Sequence, residues 1–225
     1  QGKPSSANRR LTVYRRFYRY LLRGGVRQDD PTLRIQAMKQ PGRFPDTLSE
    51  AQVEALLAAP DVETVLGLRD RTMLEVLYAT GLRVSELVAL RMAEVSMVDS
   101  LVRIVGKGDK ERIVYFDARA KLHLQEYFDS RTDENPALFV TLRAPHERIQ
   151  IGGIEHRLRE MGKRLNIPKV HPHKFRRTLA TMAIDKGMPI EQLQRLLGHQ
   201  RIDTTLQYAM VKQSNVKTAH RKYIG

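Results

Sequence analysis

The sequence has no cysteine, no tryptophan and no apolar run near the roughly 18 residues that a membrane-spanning helix needs. Without cysteine the chain cannot form disulfides, thiolate nucleophiles or cysteine-based metal sites, and this composition fits a cytoplasmic location. Without tryptophan, anchoring to a membrane surface is disfavoured. The first ten residues are polar and basic and lack the apolar segment of a secretory signal. We therefore expect no membrane partner.

Positive charge is what the sequence has in excess. The chain carries 39 Lys and Arg residues against 25 Asp and Glu residues, a formal net charge of +14. A field of that sign attracts polyanions and speeds their capture. Double-stranded DNA is the partner that this charge favours, and a basic protein without a nucleic-acid partner is the alternative.

The N-terminal part of the chain has the pattern of a short helical piece followed by a linker. Residues 5–23 place apolar and aromatic side chains at helical spacing among arginines, a mixture that can lie against a DNA backbone or form a solvated basic helix. Residues 41–46 hold two Pro and one Gly, as linkers do. The preceding piece is too short to form a stable independent domain, and it does not begin with Met. We therefore expect residues 1–40 to be the end of a truncated helical domain.

Residues 47–225 are predicted to form a second domain that is mainly α with a small antiparallel β-sheet, an α+β fold. A helix starts at Thr47 or Ser49, which can cap it. Residues 101–116 have β-branched residues on both sides of "GKGDK", which indicates a β-hairpin. A short strand at 137–142 is possible. Further helices are predicted at 68–79, from 84, and at 153–165, 173–186, 189–197 and 203–212.

Two basic side chains stand out in the first half of this domain. Arg83 follows a helix stop at Gly81 and begins a new helix, with Glu86 three residues on and able to orient it. An oriented Arg suits bidentate binding of a phosphate, although a structural Arg–Glu pair is the commoner outcome. Lys107 lies in the hairpin loop, where it could reach DNA or protonate a leaving oxygen, or could belong to an ordinary turn. The loop is too short for a P-loop, so no nucleotide is expected.

The motif "HPHKFRRT" at 171–178 is more specific. His173 and Arg176 share one face near a helix N-terminus, which is a favourable place for an anion. His171 is interpreted as a capping or packing residue. Zinc is a poor alternative because the two histidines have no third ligand at a normal spacing. We expect no metal.

The motif "LLGHQRIDTTLQYA" at 196–209 places His199 just after a helix stop and Tyr208 on the next helix. A phenol is a weak acid, with a pKa of about 10 when free, so a nucleophilic tyrosine needs cationic neighbours or a base. A tyrosine in a core or at a surface is far commoner than a nucleophile.

The sequence resembles the tyrosine recombinase (phage-type integrase) family. The resemblance rests on residues that occur in a fixed order along the chain: Arg83, Lys107, His-x-x-Arg at 173–176, Gly-His at 198–199 and Tyr208. The resemblance runs from about Thr47 to the C-terminus. Residues 70–112 are similar to the Xer branch of the family, whereas 171–223 look more like integrases of conjugative transposons. Arg177 stands where Xer proteins usually carry His.

The resemblance implies a site-specific recombinase that needs neither a metal nor ATP, because the phosphodiester energy is stored in a 3′-phosphotyrosine link. Tyr208 would be the nucleophile. Arg83, Arg176 and His199 would hold the phosphate, and Glu86 would support Arg83. His173 would position the phosphate or act as a base.

Further implications concern the leaving group and the assembly. Lys107 would protonate the leaving 5′ oxygen. Residues 1–40 would be the end of a core-binding domain that clamps DNA, and the tail after Tyr208 would dock on a neighbouring subunit of a tetramer on two paired DNA sites or would be a frayed terminus. The enzyme would act on the nucleoid, in integration, excision or dimer resolution.

Three other functions are weighed against this one. A type IB topoisomerase would use a nearly identical pocket to relax DNA as a monomer. A non-catalytic DNA-binding regulator would not need Tyr208 at all. A metal-dependent nuclease or transposase would need clustered carboxylates, and the acidic residues of this sequence are scattered.

Overall fold

The computed structural model describes residues 4–39, 46–105, 111–209 and 220–221. The chain divides into two compact units, Gln1–Phe44 and Pro45–Gly225. Within the described ranges, no helix is long and apolar enough to cross a membrane. Lys107 and the predicted linker, apart from Asp46, lie outside the described residues.

The first unit is built on one long helix, α1 (Pro4–Arg23), close to the predicted 5–23. Leu11 is the buried residue of this helix. The segment that follows, with a 3₁₀ helix at Pro31–Arg34, is tied back to α1 by Asn8, whose amide oxygen and nitrogen each bond the backbone of Met38 at 2.8 Å. That this unit is the end of a core-binding domain stays a prediction.

The second unit is mostly helical with one small sheet, so the predicted α+β class is confirmed. Its described helices and strands are α2 (Glu50–Ala58), α3 (Val65–Thr80), α4 (Val84–Ala89), a 3₁₀ helix (Met92–Glu94), β1 (Val95–Ser96), β2 (Leu101–Val105), β3 (Glu111–Tyr115), α5 (Ala118–Asp129), α6 (Ile151–Arg164), α7 (Pro172–Asp185), α8 (Ile190–Leu197) and α9 (Ile202–Leu206). Ser49, one of the two predicted caps, is the N-cap of α2 and forms a capping box with Gln52.

Helix α3 is the centre of this unit and packs against α2, α5 and α7. Apolar side chains on several faces of the helix are buried, including Leu68, Met73 and Leu77. The helix begins three residues before the predicted start because the Thr64 hydroxyl accepts a hydrogen bond from the Gly67 amide at 3.0 Å. It ends at Gly81, which has a left-handed backbone with φ 62°. This stop fixes where the chain turns into α4.

We expect Gly81→Ala to destabilise the protein. The backbone of Gly81 has a φ of 62°, which disfavours any residue with a Cβ, and a Cβ at this position would lie 2.7 Å from Leu179 Cδ2. Left-handed strain in a residue other than Gly costs about 1–3 kcal/mol. Thermal and urea unfolding of Gly81→Ala and of a control, Gly152→Ala, will check this. A Cβ at Gly152 would meet no atom within 4 Å. Equal stability of Gly81→Ala and the parent chain would contradict the expectation.

The predicted hairpin is confirmed in its two strands. Strands β2 and β3 pair antiparallel with Val102 opposite Val114, and β1 adds a third strand beside β2. The alternation of the strands places Val102 and Val114 in the core and leaves Arg103 exposed. The loop that carries Lys107 lies outside the described residues.

The prediction of a short strand at residues 137–142 is wrong. These residues form only isolated bridges, Arg91 with Ala137 and Val140 with Arg148. Their backbone groups bond separate segments, since Leu138 N donates to Leu90 O at 2.9 Å and Arg69 donates to Val140 O at 3.1 Å. The apolar pattern reflects burial of an irregular segment rather than strand pairing.

Helix α5 was not predicted. Asp117 caps it by accepting a hydrogen bond from the Ala120 amide at 3.0 Å. Its buried residues, Ala120, Leu124 and Tyr127, recur at helical spacing, so the sequence contained the signal.

Candidate active site

Two helix ends meet where the predicted site residues lie. Helix α3 ends at Gly81 and helix α8 ends at Gly198, both with left-handed backbones of φ 62° and 64°. Arg83 is the N-cap of α4, two residues after the first stop, and His199 directly follows the second. Because carbonyl groups at helix C-termini carry partial negative charge, this corner favours cationic side chains.

Arg83 is oriented by Glu86, as their spacing predicts. Arg83 Nη1 donates to Glu86 Oε1 at 2.8 Å, and the Arg83 backbone amide donates to Oε2 at 2.8 Å. A second anchor comes from Gly198, whose carbonyl accepts from Arg83 Nη2 at 3.3 Å. The side chain of Arg83 remains 37% exposed, so the guanidinium is fixed but reachable.

Arg112 is a site residue that the sequence reasoning missed. Arg112 lies on β3 and donates two hydrogen bonds to the Glu86 carboxylate, from Nη1 to Oε1 at 3.0 Å and from Nη2 to Oε2 at 2.7 Å. Its Nε donates to Leu196 O at 3.2 Å, so it also ties the hairpin to the end of α8. The signal was its register, because Arg112 shares the inward face of β3 with Val114.

The Glu86 carboxylate is held ionised by this network. Burial raises the pKa of Glu86, but hydrogen bonds from Arg112 and Arg83 outweigh burial and lower the pKa to about 2. From the described residues the carboxylate accepts four hydrogen bonds, so it is a fixed anion between the guanidinium groups of Arg83 and Arg112.

Arg176 is buried, with only 3% of its surface exposed. Nη1 donates to Gly81 O at 2.6 Å and Nη2 donates to Leu197 O at 2.6 Å, so the guanidinium joins the ends of α3 and α8. Burial and the nearby charge of Arg83 lower the pKa of Arg176 to about 10, which still leaves it cationic at neutral pH. Three of its five N–H groups are engaged by described residues, the third by His199.

His199 and Tyr208 lie against each other. Their rings stack with centroids 6.1 Å apart and an interplanar angle of 19°. His199 Nε2 is 2.9 Å from Arg176 Nη2, and its Nδ1 is 2.8 Å from the hydroxyl of Thr205, a second site residue that was missed. Burial and the charges of Arg176, Arg83 and Arg112 lower the pKa of His199 to about 4.

The prediction that Tyr208 lies on a helix over 203–212 is wrong. Helix α9 ends at Leu206, and Tyr208 follows in a turn. The turn is tightened because the Tyr208 amide bonds Thr205 O, three residues back, at 3.0 Å. This turn brings the phenol ring onto His199.

His173 lies in the first turn of α7. Burial and the charges of Arg176, Arg177 and Arg83 hold the pKa of His173 below its ordinary value, so its ring is neutral at neutral pH. His171 is the N-cap of α7 by position but makes no capping hydrogen bond with its side chain, and its ring packs 6.4 Å from that of His173.

The open side of the site is a basic cleft of about 1010 Å³. Arg83 and His199 line it, together with Arg195 and Arg201 from the segment around the end of α8. The lining holds four arginines against two carboxylates, Glu86 and Glu111, and Glu86 is already paired with arginines. This excess of positive charge fits a polyanion with more than one phosphate. Among the described residues, no three His, Asp or Glu side chains are grouped as metal ligands.

The structure therefore brings five predicted residues to one corner in two sets. Arg83 contacts Glu86, and Arg176 contacts His199, which stacks on Tyr208. Arg83 joins the second set through the carbonyl of Gly198, the residue before His199. It places His173 within electrostatic reach of Arg176 and Arg83. Lys107 falls outside the described residues, so its place in the site stays a prediction.

Comparison with known proteins points to one family. The family model described as the phage integrase family matches residues 46–215. A tyrosine recombinase XerD of Ralstonia nicotianae is 43% identical over 227 residues, which cover 97% of this chain and 73% of the relative. A tyrosine recombinase XerD of Pseudomonas aeruginosa is 40% identical over 98% of this chain and 76% of its own length.

Solved structures agree on the fold. The crystal structure of XerA recombinase superposes with a TM-score of 0.69 at 28% identity, covering 91% of this chain and 72% of XerA. The Tn1549 transposon integrase in complex with a circular intermediate DNA gives a TM-score of 0.76 at 17% identity, covering 97% of this chain and 78% of the integrase. At that identity the second likeness shows the fold alone.

Proposed function

Because the chain belongs to the phage integrase family and is a tyrosine recombinase, an enzyme of site-specific recombination, we propose that Tyr208 is its nucleophile and that Arg83, Arg176 and His199 hold the attacked DNA phosphate. The observation that carries this proposal is the contact chain from Tyr208 to His199 to Arg176. It sets the phenol beside the cations that a phosphate needs.

In the proposed reaction, the Tyr208 oxygen attacks phosphorus and the 5′ oxygen leaves, which gives a 3′-phosphotyrosine and a free 5′-hydroxyl. The guanidinium groups of Arg83 and Arg176 stabilise the charge that builds on the non-bridging oxygens, since Glu86 and the helix-end carbonyls fix them before the substrate arrives. His173, neutral at neutral pH, is able to accept the phenol proton. Lys107 supplies the proton of the leaving oxygen. Attack by a 5′-hydroxyl of another strand reverses the steps and joins the DNA.

Double-stranded DNA is the proposed substrate. Support comes from the net charge of +14 and from the arginine-lined cleft. The Tn1549 integrase, which has the same fold, was solved with DNA bound. We extend the proposal to a tetramer on two paired sites, to a DNA-clamping role for residues 1–40 and to action on the nucleoid. Topoisomerase and regulator functions are not favoured by the relatives, which are named recombinases.

The proposal is tested by trapping the covalent intermediate. A nicked duplex library, randomised on both sides of the nick, is incubated with the protein, and DNA that stays bound after denaturation is sequenced. Loss of a short fragment at the nick prevents rejoining, so a recombinase accumulates protein-linked DNA, and EDTA does not reduce the yield. Absence of any denaturation-resistant complex would refute the proposal. Strand exchange between two copies of the selected site separates a recombinase from an enzyme that only relaxes DNA.

We expect Arg112→Gln to slow covalent cleavage at saturating DNA while leaving the dissociation constant for DNA nearly unchanged. The substitution removes two charge-assisted hydrogen bonds to Glu86, each worth about 1.5–3 kcal/mol, so a slowing on the order of tenfold or more is expected. Single-turnover cleavage and a gel-shift titration separate the two effects. Arg103→Gln removes the same charge from the exposed face of the same hairpin and is the matched control. Equal rates for both variants would show that Arg112 has no positioning role.

A further inference from the structure

The arginines that line the cleft differ in how far the protein itself pairs them. Arg83 and Arg112 share the carboxylate of Glu86. Arg195 lines the same cleft, but its side chain makes no hydrogen bond or ion pair to any described residue. Its five N–H donors are therefore not used by the described part of the chain and can serve a ligand. An unpaired guanidinium on the wall of a cleft is suited to a second anion.

Arg195 lies in the last turn of α8, on the side of the helix that faces away from the core. Leu193 and Leu197 are buried on one side of α8, and the helical period puts the exposed Arg195 on the opposite side. The Gly198 amide donates to the Arg195 carbonyl at 3.1 Å. Arg195 therefore precedes the Gly198–His199 corner by about one helical turn, a rise of about 5.4 Å.

A duplex that presents one phosphate to Arg83 and His199 brings the next phosphate close to them. Successive phosphates of one strand are about 3.4 Å apart along the helix axis, so two of them can contact a cleft of about 1010 Å³. Glu111, at the start of β3, also lines the cleft and makes no ion pair with described residues. Its carboxylate repels a phosphate from the hairpin side, so the α8 side, where Arg195 lies, is favoured for the second phosphate.

We propose that Arg195 binds the phosphate that directly neighbours the attacked phosphate on the same DNA strand. This inference rests on the proposed function, in which Arg83 and His199 hold the attacked phosphate. A strand held at one phosphate can still rotate about that point. A second contact one helical turn away fixes the direction in which the strand crosses the cleft, and so limits how the attacked phosphate can face Tyr208.

The salt dependence of DNA binding gives the first test. Each phosphate neutralised by the protein contributes about 0.9 to the slope of log affinity against log salt concentration. We expect Arg195→Gln to lower that slope by about this amount and to weaken binding on the order of tenfold at low salt. Binding is measured on Tyr208→Phe, so that no DNA is cleaved. An unchanged slope in the Arg195→Gln variant would overturn the inference.

Arg201→Gln is the matched comparison for this test. Arg201 lines the same cleft, but its Nη2 already donates to Asp203 Oδ2 at 2.7 Å. Both substitutions remove one positive charge from the lining, so a general effect of charge would be equal in the two variants. We expect the slope to fall less in Arg201→Gln than in Arg195→Gln. Equal changes would overturn the inference, because they would assign the effect to the charge of the cleft and not to a contact.

The position of the contact is found by neutralising one phosphate at a time. A duplex library randomised over its centre is enriched by binding to Tyr208→Phe, and each phosphate of the enriched duplex is replaced in turn by a neutral methylphosphonate. Double-mutant cycles combine each replacement with Arg195→Gln or with Arg83→Gln. We expect Arg83 to couple to one phosphate and Arg195 to the phosphate beside it on the same strand, each by about tenfold. Coupling of Arg195 to the same phosphate as Arg83, to the other strand or to no phosphate would overturn the inference.

These measurements separate the inference from the proposed function, because binding to Tyr208→Phe requires no cleavage. Mapping the covalent adduct of the parent chain identifies the attacked phosphate independently. An adduct on a phosphate other than the one that couples to Arg83 would refute the proposed function. An adduct on that phosphate, with no coupling of Arg195 to its neighbour, would refute this inference alone. Urea unfolding checks that each variant is folded, and His199→Gln replaces Arg83→Gln as the marker of the attacked phosphate if the latter does not fold.

Discussion

Changing Tyr208 to Phe is expected to abolish the covalent protein–DNA complex while leaving DNA binding intact. Phenylalanine keeps the ring that stacks on His199, so the corner after α9 is preserved. The substitution removes the only atom that the proposed mechanism uses for attack. Losing a nucleophile that works with a preorganised phosphate site costs on the order of 10⁴-fold or more, which places the variant below detection in the trapping assay.

The control for this variant is Tyr115→Phe. Tyr115 lies on β3 with 61% of its surface exposed, and the proposed reaction does not use it. The same hydroxyl is lost, so the control accounts for any general effect of the substitution. Covalent complex formed by Tyr208→Phe at the rate of Tyr115→Phe would assign the nucleophile elsewhere.

Changing Arg176 to Lys is expected to reduce covalent cleavage by about 10²–10³-fold, the range seen when a preorganised donor to a developing negative charge is removed. Lysine keeps the charge but offers one ammonium group in place of a planar fork, and it cannot join Gly81 O, Leu197 O and His199 Nε2 at once. The phosphate then loses a donor, and His199 loses the partner that fixes its ring.

Two measurements keep this result from being confused with unfolding. Urea unfolding gives the stability of Arg176→Lys, and cleavage is measured at a temperature where the variant is folded. Arg164→Lys, at the exposed end of α6, is the control for the substitution itself. A folded Arg176→Lys that cleaves as fast as this control would remove Arg176 from the phosphate site.

Local pattern was enough to predict much of the second unit. The apolar periodicity of α3, the stops at Gly81 and Gly198 and the β-branched runs around "GKGDK" all correspond to observed elements. Each of these features depends on neighbours within a few residues, which is the range that a sequence pattern reports. The same range explains why Arg83 and Glu86 could be paired in advance, since they lie three residues apart.

Contacts between distant segments could not be predicted in this way. Arg112 is 26 residues from Glu86 and 84 from Leu196 in the sequence. The local pattern around Arg112 therefore could not predict that it would bridge these two residues. The Thr205 bond to His199 depends on how tightly α9 turns back on α8, and the helical pattern suggested a longer α9. The residue types of the site are visible in the sequence, whereas the hydrogen bonds between them depend on tertiary packing.

The central claim is tested most directly by identifying the residue that carries the DNA. Protein trapped on the selected nicked duplex is digested with trypsin and nuclease, and the nucleotide-bearing peptide is sequenced by mass spectrometry. We predict that the adduct lies on Tyr208, within the tryptic peptide of residues 202–212. An adduct on any of the other tyrosines, or on a serine, would contradict the account.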